Sequence, residues 1–351
     1  MTIPTPAERN KAYSAPRIRS KWKVELSDPR STSYRGRQMS QFKENEPRER
    51  SAGRERFLAF RQTQPPSPKL AGQRVTTRGL NFAVFVSPQV PNPTPLVCVN
   101  GGLFFDHKLL WPALAPLARD RQLVFYDQRG RGQTPAPPAA RSARIEHDAG
   151  DLAALRVALA VDQWDVLGHS WGGAIAMLAA AEDVAGVRKL VLVDAVGPTG
   201  EWLPDLHRDA LARLTGTRRE ALVRAGELGT VDGTSEDPGA HAAYSRAMYP
   251  AYFADRAIVE MFSPPRAESV TGSAIAARLR REGYDWRPAL RALRAPTLVI
   301  HGEEDLLPPA VARQIADLLP QARLEIIPGA GHMPFWEQPE RFFSLVSAFL
   351  T

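Results

Sequence analysis

The stretch "DVLGHSWGGAIAML", Asp165 to Leu178, decides the fold. Trp164, Val166 and Leu167 belong to a short apolar run, and Gly168, His169, Ser170, Trp171, Gly172 and Gly173 follow it without a break. After them comes a run of Ala, Ile, Met and Leu. The order reads as strand, tight turn, helix, and five of the turn residues spell G-x-S-x-G. Glycines on both sides let strand and helix approach closely, and the serine between them sits on a sharp, strained turn. Its hydroxyl is then presented at a helix N-terminus, where the dipole favours negative charge. The rival reading is an ordinary turn serine. A base and an acid elsewhere in the chain would separate the two.

Serine is a weak nucleophile without a base. A parallel α/β sheet gathers its ligands at the carboxyl ends of its strands. The strand "PTLVIHG" is followed by "EEDLLPP", and "RLEIIPG" is followed by "AGHMPFW". Asp305 therefore lies 135 positions after Ser170, and His332 lies 27 further on. The chain order Ser, acid, His, with each residue at a strand end, is that of a nucleophile–base–acid triad. His332 reads as the general base and Asp305 as the group that orients its imidazole. Glu303, Glu304 and Asp194, which closes "KLVLVD", are the alternative acids. His169 reads as a packing or hydrogen-bonding neighbour of the serine, and His301 precedes the acid, the wrong order for the base. His107, His147, His207 and His241 read as ordinary surface or helix residues. An oxyanion needs donors. The amide of Trp171 is one, and the loop "NGGL" after "PLVCV" offers Gly102 as the other, with Leu103 as its alternative.

The 351 residues suffice for one large α/β domain or two small ones. Hydrophobic residues make up 44% and charged residues 24%, as in a soluble globular protein. No apolar run reaches the roughly 18 residues of a membrane span. The single Cys98, inside "PLVCVN", excludes an internal disulfide framework and a multi-cysteine zinc site, and reads as a small core residue. The net charge of +7 is uneven: residues 1–70 hold 16 Lys and Arg against 7 Asp and Glu. The rest of the chain is slightly acidic, so the basic balance belongs to the leader and gives the folded part no nucleic-acid character. Residues 1–70 read as a basic, disordered extension, with "RERFLAFRQ" as a short helix candidate. They lack the apolar core of a secretory signal, and Glu44, Glu46, Glu49 and Glu55 speak against a transit peptide. The expected location is the cytoplasm.

From residue 72 the pattern becomes strand–helix alternation. Short β-branched runs such as "QLVFYD" and "KLVLVD" suit strands buried on both faces of a parallel sheet. "RIEHDAGDLAALRVALA" is expected to turn Ile145, Leu152, Leu155, Val157 and Leu159 to one side. The closing "PERFFSLVSAFL" places Phe342, Leu345, Val346 and Phe349 at helical spacing. The expected fold is a doubly wound α/β domain over residues 71–198 and 291–351, with residues 199–290 as an inserted helical cap. Phe104, Phe105, Trp111, Trp202, Tyr249, Tyr252, Phe253 and Trp336 are the candidate pocket walls.

Taken together, "VNGG", "YDQRGRGQT", "GHSWGG", "HGEEDLLPP" and "GAGHMPFWEQPERF" resemble the serial landmarks of the α/β-hydrolase superfamily over residues 72–351. "YDQRGRGQT" with "SWGG" is similar to its prolyl aminopeptidase-like branch. The resemblance implies cleavage of an N-terminal proline, or hydrolysis of an ester or amide as in relatives. Asn100 stands where the family usually has His, and His169 where prolyl aminopeptidases usually have Gly. The cap acids that read the free amine in that branch have only Glu201, Glu220, Glu227 and Glu260 as stand-ins here. The resulting expectation is a serine hydrolase without metal or organic cofactor, acting through an acyl-enzyme on a small ester, lactone, amide or short peptide. The rival from another class is a ligand-binding protein on the same fold with little turnover.

Overall fold

The computed structural model describes residues 52–92, 94–262 and 268–351. Eight strands form one sheet: β1 (Ala71–Thr77), β2 (Leu80–Val86), β3 (Leu96–Val99), β4 (Leu123–Tyr126), β5 (Trp164–His169), β6 (Val187–Val193), β7 (Thr297–Gly302) and β8 (Ala322–Ile327). Their spatial order is β1-β2-β4-β3-β5-β6-β7-β8. The β1–β2 and β2–β4 pairs are antiparallel, and β3 to β8 pair in parallel with β4 as the shared neighbour. The opening hairpin turns on Arg78 and Gly79, both at positive φ (47° and 74°), the geometry whose twist matches that of the two strands. Every residue of β3, β4, β5 and β7 is buried, which is why these strands read as unbroken apolar runs.

The helices are α1 (Ala52–Thr63), α2 (Ile145–Ala158), α3 (Trp171–Glu182), α4 (Leu203–Arg213), α5 (Gly216–Gly226), α6 (Pro238–Met248), α7 (Arg256–Val259), α8 (Val270–Glu282), α9 (Arg287–Ala292), α10 (Pro309–Leu318), α11 (Pro334–Glu337) and α12 (Pro339–Leu350). In α12, Phe342, Leu345 and Val346 are buried and Phe349 half-buried, as the spacing required. Helix α2 departs from expectation at one point. Ile145, Leu152 and Leu155 are buried, but Val157 is 67% exposed. Two residues past Leu155 is 200° around the helix, so Val157 faces the opposite side.

The expected disorder of residues 1–70 fails from Ala52 onward. Helix α1 packs against α11 and α12. Phe60 is buried and stacks on Phe343 at 5.4 Å, and the Arg56 guanidinium donates to the Glu337 carbonyl at 3.0 Å. Phe57 and Phe60, one helical turn apart, supply the apolar contact that the polar composition of the leader masked. Residues 1–51 lie outside the described residues.

Between β6 and β7 the chain leaves the sheet and builds α4 to α8. An antiparallel bridge between Thr199 and Asp285, with the Trp286 amide donating to the Pro198 carbonyl at 2.8 Å, ties the exit and return strands of this excursion together. Helix α9 lies past that neck and packs on α3 and α10, so it belongs with the sheet rather than with the helices expected through residue 290. No described helix is long and apolar enough to cross a membrane.

Candidate active site

Ser170 sits between β5 and α3 with φ 55° and ψ −122°. A non-glycine residue with such a φ costs on the order of 1–3 kcal/mol and persists only where its surroundings hold it. The holding contacts are visible. The Ser170 amide donates to the Val193 carbonyl at 2.9 Å, and its own carbonyl accepts from Gly173 at 2.9 Å. A Cβ on Gly168 would strike the Gly172 carbonyl, and one on Gly172 would strike the Val99 carbonyl. Those two positions are glycine because strand and helix touch there. The Ser170 side chain makes no capping bond to the first turn of α3. Its hydroxyl is therefore not spent on structure, unlike that of a capping serine.

His332 follows β8, and its Nδ1 lies 2.9 Å from Oδ2 of Asp305, which follows β7. Both side chains are buried. The His332 amide donates to the Tyr252 carbonyl at 2.8 Å, and the Tyr252 ring stacks on the imidazole at 4.6 Å. Burial acts to raise the Asp305 pKa, but the neighbouring His332 and His301 outweigh it and hold the carboxyl below its ordinary value. Glu303 and Glu304 are exposed and face away. Of the four candidate acids, Asp305 is the one on His332.

The loop after β3 packs directly against the serine: a Cβ on Gly101 would lie 2.6 Å from Ser170 Cβ. The Gly102 amide has no protein acceptor among the described residues. Trp171 opens α3, and the first-turn amides of a helix have no intrahelical acceptor. Two unsatisfied N–H groups thus flank Ser170.

Ser170, His332, Gly102 and Trp171 all line one cavity with about 910 Å³ of empty space, its open mouth included. The far wall comes from the excursion between β6 and β7, including Trp202, Tyr244, Tyr249 and Tyr252. Phe104, Phe105, Trp202, Tyr249 and Tyr252 are wall residues as expected. Trp111 and Trp336 instead line a separate groove beside α1, and Phe253 packs on Trp336. His241, read from sequence as an ordinary residue, is buried in the cavity wall, its Nε2 donating to the Ser235 carbonyl at 2.9 Å. His107 is also buried, held by Asp127 at 2.8 Å.

The sequence profile of the alpha/beta hydrolase fold family matches residues 94–339. The chain belongs to the α/β-hydrolase family. Proline iminopeptidase from Lactobacillus delbrueckii subsp. lactis is 28% identical over 276 residues, covering 73% of this chain and 90% of its own. The 2-hydroxymuconate semialdehyde hydrolase of Pseudomonas sp. (strain CF600) is 31% identical over 250 residues, covering 68% and 80%. The crystal structure of the proline iminopeptidase from Mycobacterium smegmatis superposes with a TM-score of 0.59 at 23% identity, covering 80% of this chain and 97% of that one. This α/β hydrolase thus falls on the prolyl aminopeptidase-like branch that "YDQRGRGQT" and "SWGG" resembled.

Several groups that support the site of this hydrolase were not assigned from its sequence. The "YDQRGRGQT" segment braces the loop that carries Gly102. Gln128 donates to the Asn100 carbonyl at 2.9 Å, and Arg131 donates to the Leu103 carbonyl at 2.8 Å. Arg131 is itself buried and held by Asp148 through two bonds at 2.9 and 3.0 Å. His169 Nε2 donates to the His332 carbonyl at 2.9 Å, and burial holds its pKa down at about 3. Asp194 accepts from the Gly302 amide at 2.8 Å and shares a buried cluster with His301 and Asp305, within 4.8 Å of one another. Burial and the charge of Asp305 push the Asp194 pKa well up, so one carboxyl of the pair is neutral.

Glu337 fixes the loop ahead of His332. Its two oxygens accept from the amides of Gly331 at 2.8 Å, Ala254 at 2.8 Å and Asp255 at 3.0 Å. Burial nonetheless pushes its pKa up to about 7. A carboxyl raised in the fold stabilises the protein below its unfolded pKa, near 4.5, and that contribution is lost as pH rises through about 7. Wild type is therefore expected to lose more stability between pH 5 and pH 8 than Glu337→Gln. Thermal melts of the two proteins across that range check the difference. Parallel curves would refute the raised pKa.

Proposed function

We propose that the protein is a serine hydrolase acting through an acyl-enzyme, with Ser170, His332 and Asp305 as its triad. Ser170 Oγ attacks the substrate carbonyl while His332 Nε2 takes its proton. The Gly102 and Trp171 amides hold the oxyanion. Asp305 fixes the His332 tautomer with the proton on Nδ1 and stabilises the imidazolium. Collapse of the tetrahedral intermediate expels the leaving group, which takes the proton from His332, and a water activated by His332 then releases the acid. The observation that carries this reading is the 2.9 Å contact of His332 Nδ1 with buried Asp305, beside a strained Ser170 in the same cavity. Residues 199–286 act as the cap. The single Cys98 is buried with its thiol pKa raised by burial, so it is a core residue and not a second nucleophile.

Within that class we favour an esterase or lactonase over an aminopeptidase. An aminopeptidase needs an acid to hold the substrate's ammonium, and no Asp or Glu lines the cavity among the described residues. Glu201, Glu220, Glu227 and Glu260 are all exposed, and none is a wall residue. The aminopeptidase reading rests on the iminopeptidase relatives and on the resemblance of "YDQRGRGQT" and "SWGG". A substrate panel separates the two. We expect 4-nitrophenyl esters to be turned over with higher kcat/KM than proline 2-naphthylamide, and N-acylation of the proline to cause no loss. A strong preference for the free-amine naphthylamide would reverse the assignment.

A further inference from the structure

The cavity has one charged wall residue, Arg280 on α8, and no acid lines it among the described residues; exposed Asp232, whose carboxyl is held low first by its hydrogen bonds to Thr234 and in part by the charge of this guanidinium, lies outside the lining. The guanidinium has no carboxylate within ion-pair distance among the described residues, unlike the neighbouring Arg281, which pairs with Glu236 at 3.4 Å. Its recorded partner is neutral. One nitrogen donates to the Val231 carbonyl at 3.2 Å. Tyr244 lies 3.2 Å from His207 Nδ1, and burial with the charge of Arg280 holds His207 below its ordinary pKa. A neutral His207 is able to accept the tyrosine proton. The ring of Tyr244 also lies under the guanidinium, 6.0 Å from centroid to Cζ. The arginine thus has an aromatic ring below it and no ion pair among the described residues.

A guanidinium carries five N–H donors in a fixed fork, and the one carbonyl acceptor at Val231 leaves most of that fork open. Partial burial in a mostly apolar cavity makes an unpaired charge costly, and an anionic ligand relieves that cost with charge-assisted bonds. Tyr249, on the same wall, has a buried hydroxyl with no partner, a further donor for such a ligand. Ser170 belongs to the sheet side of the cavity and Arg280 to the helices over it. A molecule spanning the two would place its carbonyl at Ser170 and an anion at Arg280.

We propose that Arg280 selects the substrate, and that the substrate is a small ester or lactone whose acyl part carries a carboxylate. The inference rests on the serine-hydrolase reading and adds the charge of the substrate to it. A guanidinium–carboxylate pair in a half-buried site discriminates by about 10- to 100-fold against a neutral isostere. An ammonium-bearing substrate is repelled by the same group, which fits the absence of an amine-binding acid.

The test uses the full chain and matched pairs of 4-nitrophenyl esters: the monoesters of succinic, glutaric and adipic acid, and the same compounds with the free acid capped as a methyl ester. For at least one chain length, wild type is expected to show a kcat/KM about 10- to 100-fold higher for the free acid than for its capped partner. Arg280→Met should bring that ratio to near one, and Arg280→Lys should keep part of it, with a thermal melt confirming that each variant is folded. Equal or lower kcat/KM for every free acid in wild type would overturn the proposal, and so would an unchanged ratio in folded Arg280→Met. A fluorophosphonate probe on wild type separates this failure from a broader one. Labelling of Ser170 without any preference for the acids removes the role of Arg280 alone. No labelling of Ser170 removes the serine-hydrolase reading and this inference with it.

Discussion

Ser170→Ala is expected to lower kcat on a 4-nitrophenyl ester by about 10⁴- to 10⁶-fold while leaving the melting temperature nearly unchanged. The size follows from the role. Removing the nucleophile deletes the covalent route, and the proposed donors at Gly102 and Trp171 leave only a residual rate over water. The unchanged melting temperature follows from the structure. The Ser170 hydroxyl makes no capping bond, so alanine leaves no buried partner unsatisfied. Alanine also accepts the same φ at about the same cost, because both residues carry a Cβ. A structural turn serine would give the opposite pair of results: about 1 kcal/mol of lost stability and an intact rate. Steady-state kinetics and a thermal melt on one preparation decide between them.

Asp305→Asn carries the second large effect, a loss of about 10⁴-fold in kcat. An asparagine in that position can present its amide N–H to His332 Nδ1. It then favours the tautomer with the proton on Nε2, which cannot accept one from Ser170. The neighbouring Asp194 raises the question of rescue. Two carboxyls buried within 4.8 Å do not both ionise readily, and the pKa directions leave the charge on Asp305. Removing Asp305 frees Asp194 to ionise. Yet Asp194 has no contact with His332, and its Oδ1 lies 3.6 Å from His301 Nδ1 and 2.8 Å from the Gly302 amide. Asp194 therefore restores a charge to the cluster but not the tautomer of the base. Asp305→Asn kinetics at several pH values check this. A loss below about tenfold would mean that Asp194 takes over the orienting role.

Much of this site was legible because its parts sit at strand ends. Ser170, Asp305 and His332 each follow a short β-branched run, and the parallel sheet brings such ends to one edge whatever their separation in sequence. The glycines were legible for a steric reason that holds locally, the contact of α3 with β5 and β3. What escaped were side chains whose partners are fixed by tertiary packing. Gln128 and Arg131 reach back 28 residues to the carbonyls of Asn100 and Leu103, and nothing in the spacing announces that contact. Glu337 carried no signal in the sequence, although it holds the backbone amides of Gly331, Ala254 and Asp255. The cap was legible as an interruption of the strand–helix rhythm. Its pocket was not, since Arg280 is one of several arginines on α8, and only the fold shows that this one faces the cavity. Helix α1 was legible as the candidate "RERFLAFRQ", but its packing was not: two phenylalanines in a basic leader gain meaning only once Phe343 and the C-terminal helices are in place.

The most direct test of the central claim is covalent labelling with a fluorophosphonate probe, followed by peptide mapping of the adduct. The triad predicts stoichiometric modification of wild type on Ser170, none on Ser170→Ala, and strongly slowed labelling of Asp305→Asn. An unlabelled wild type, or equal labelling of Ser170→Ala, would contradict it.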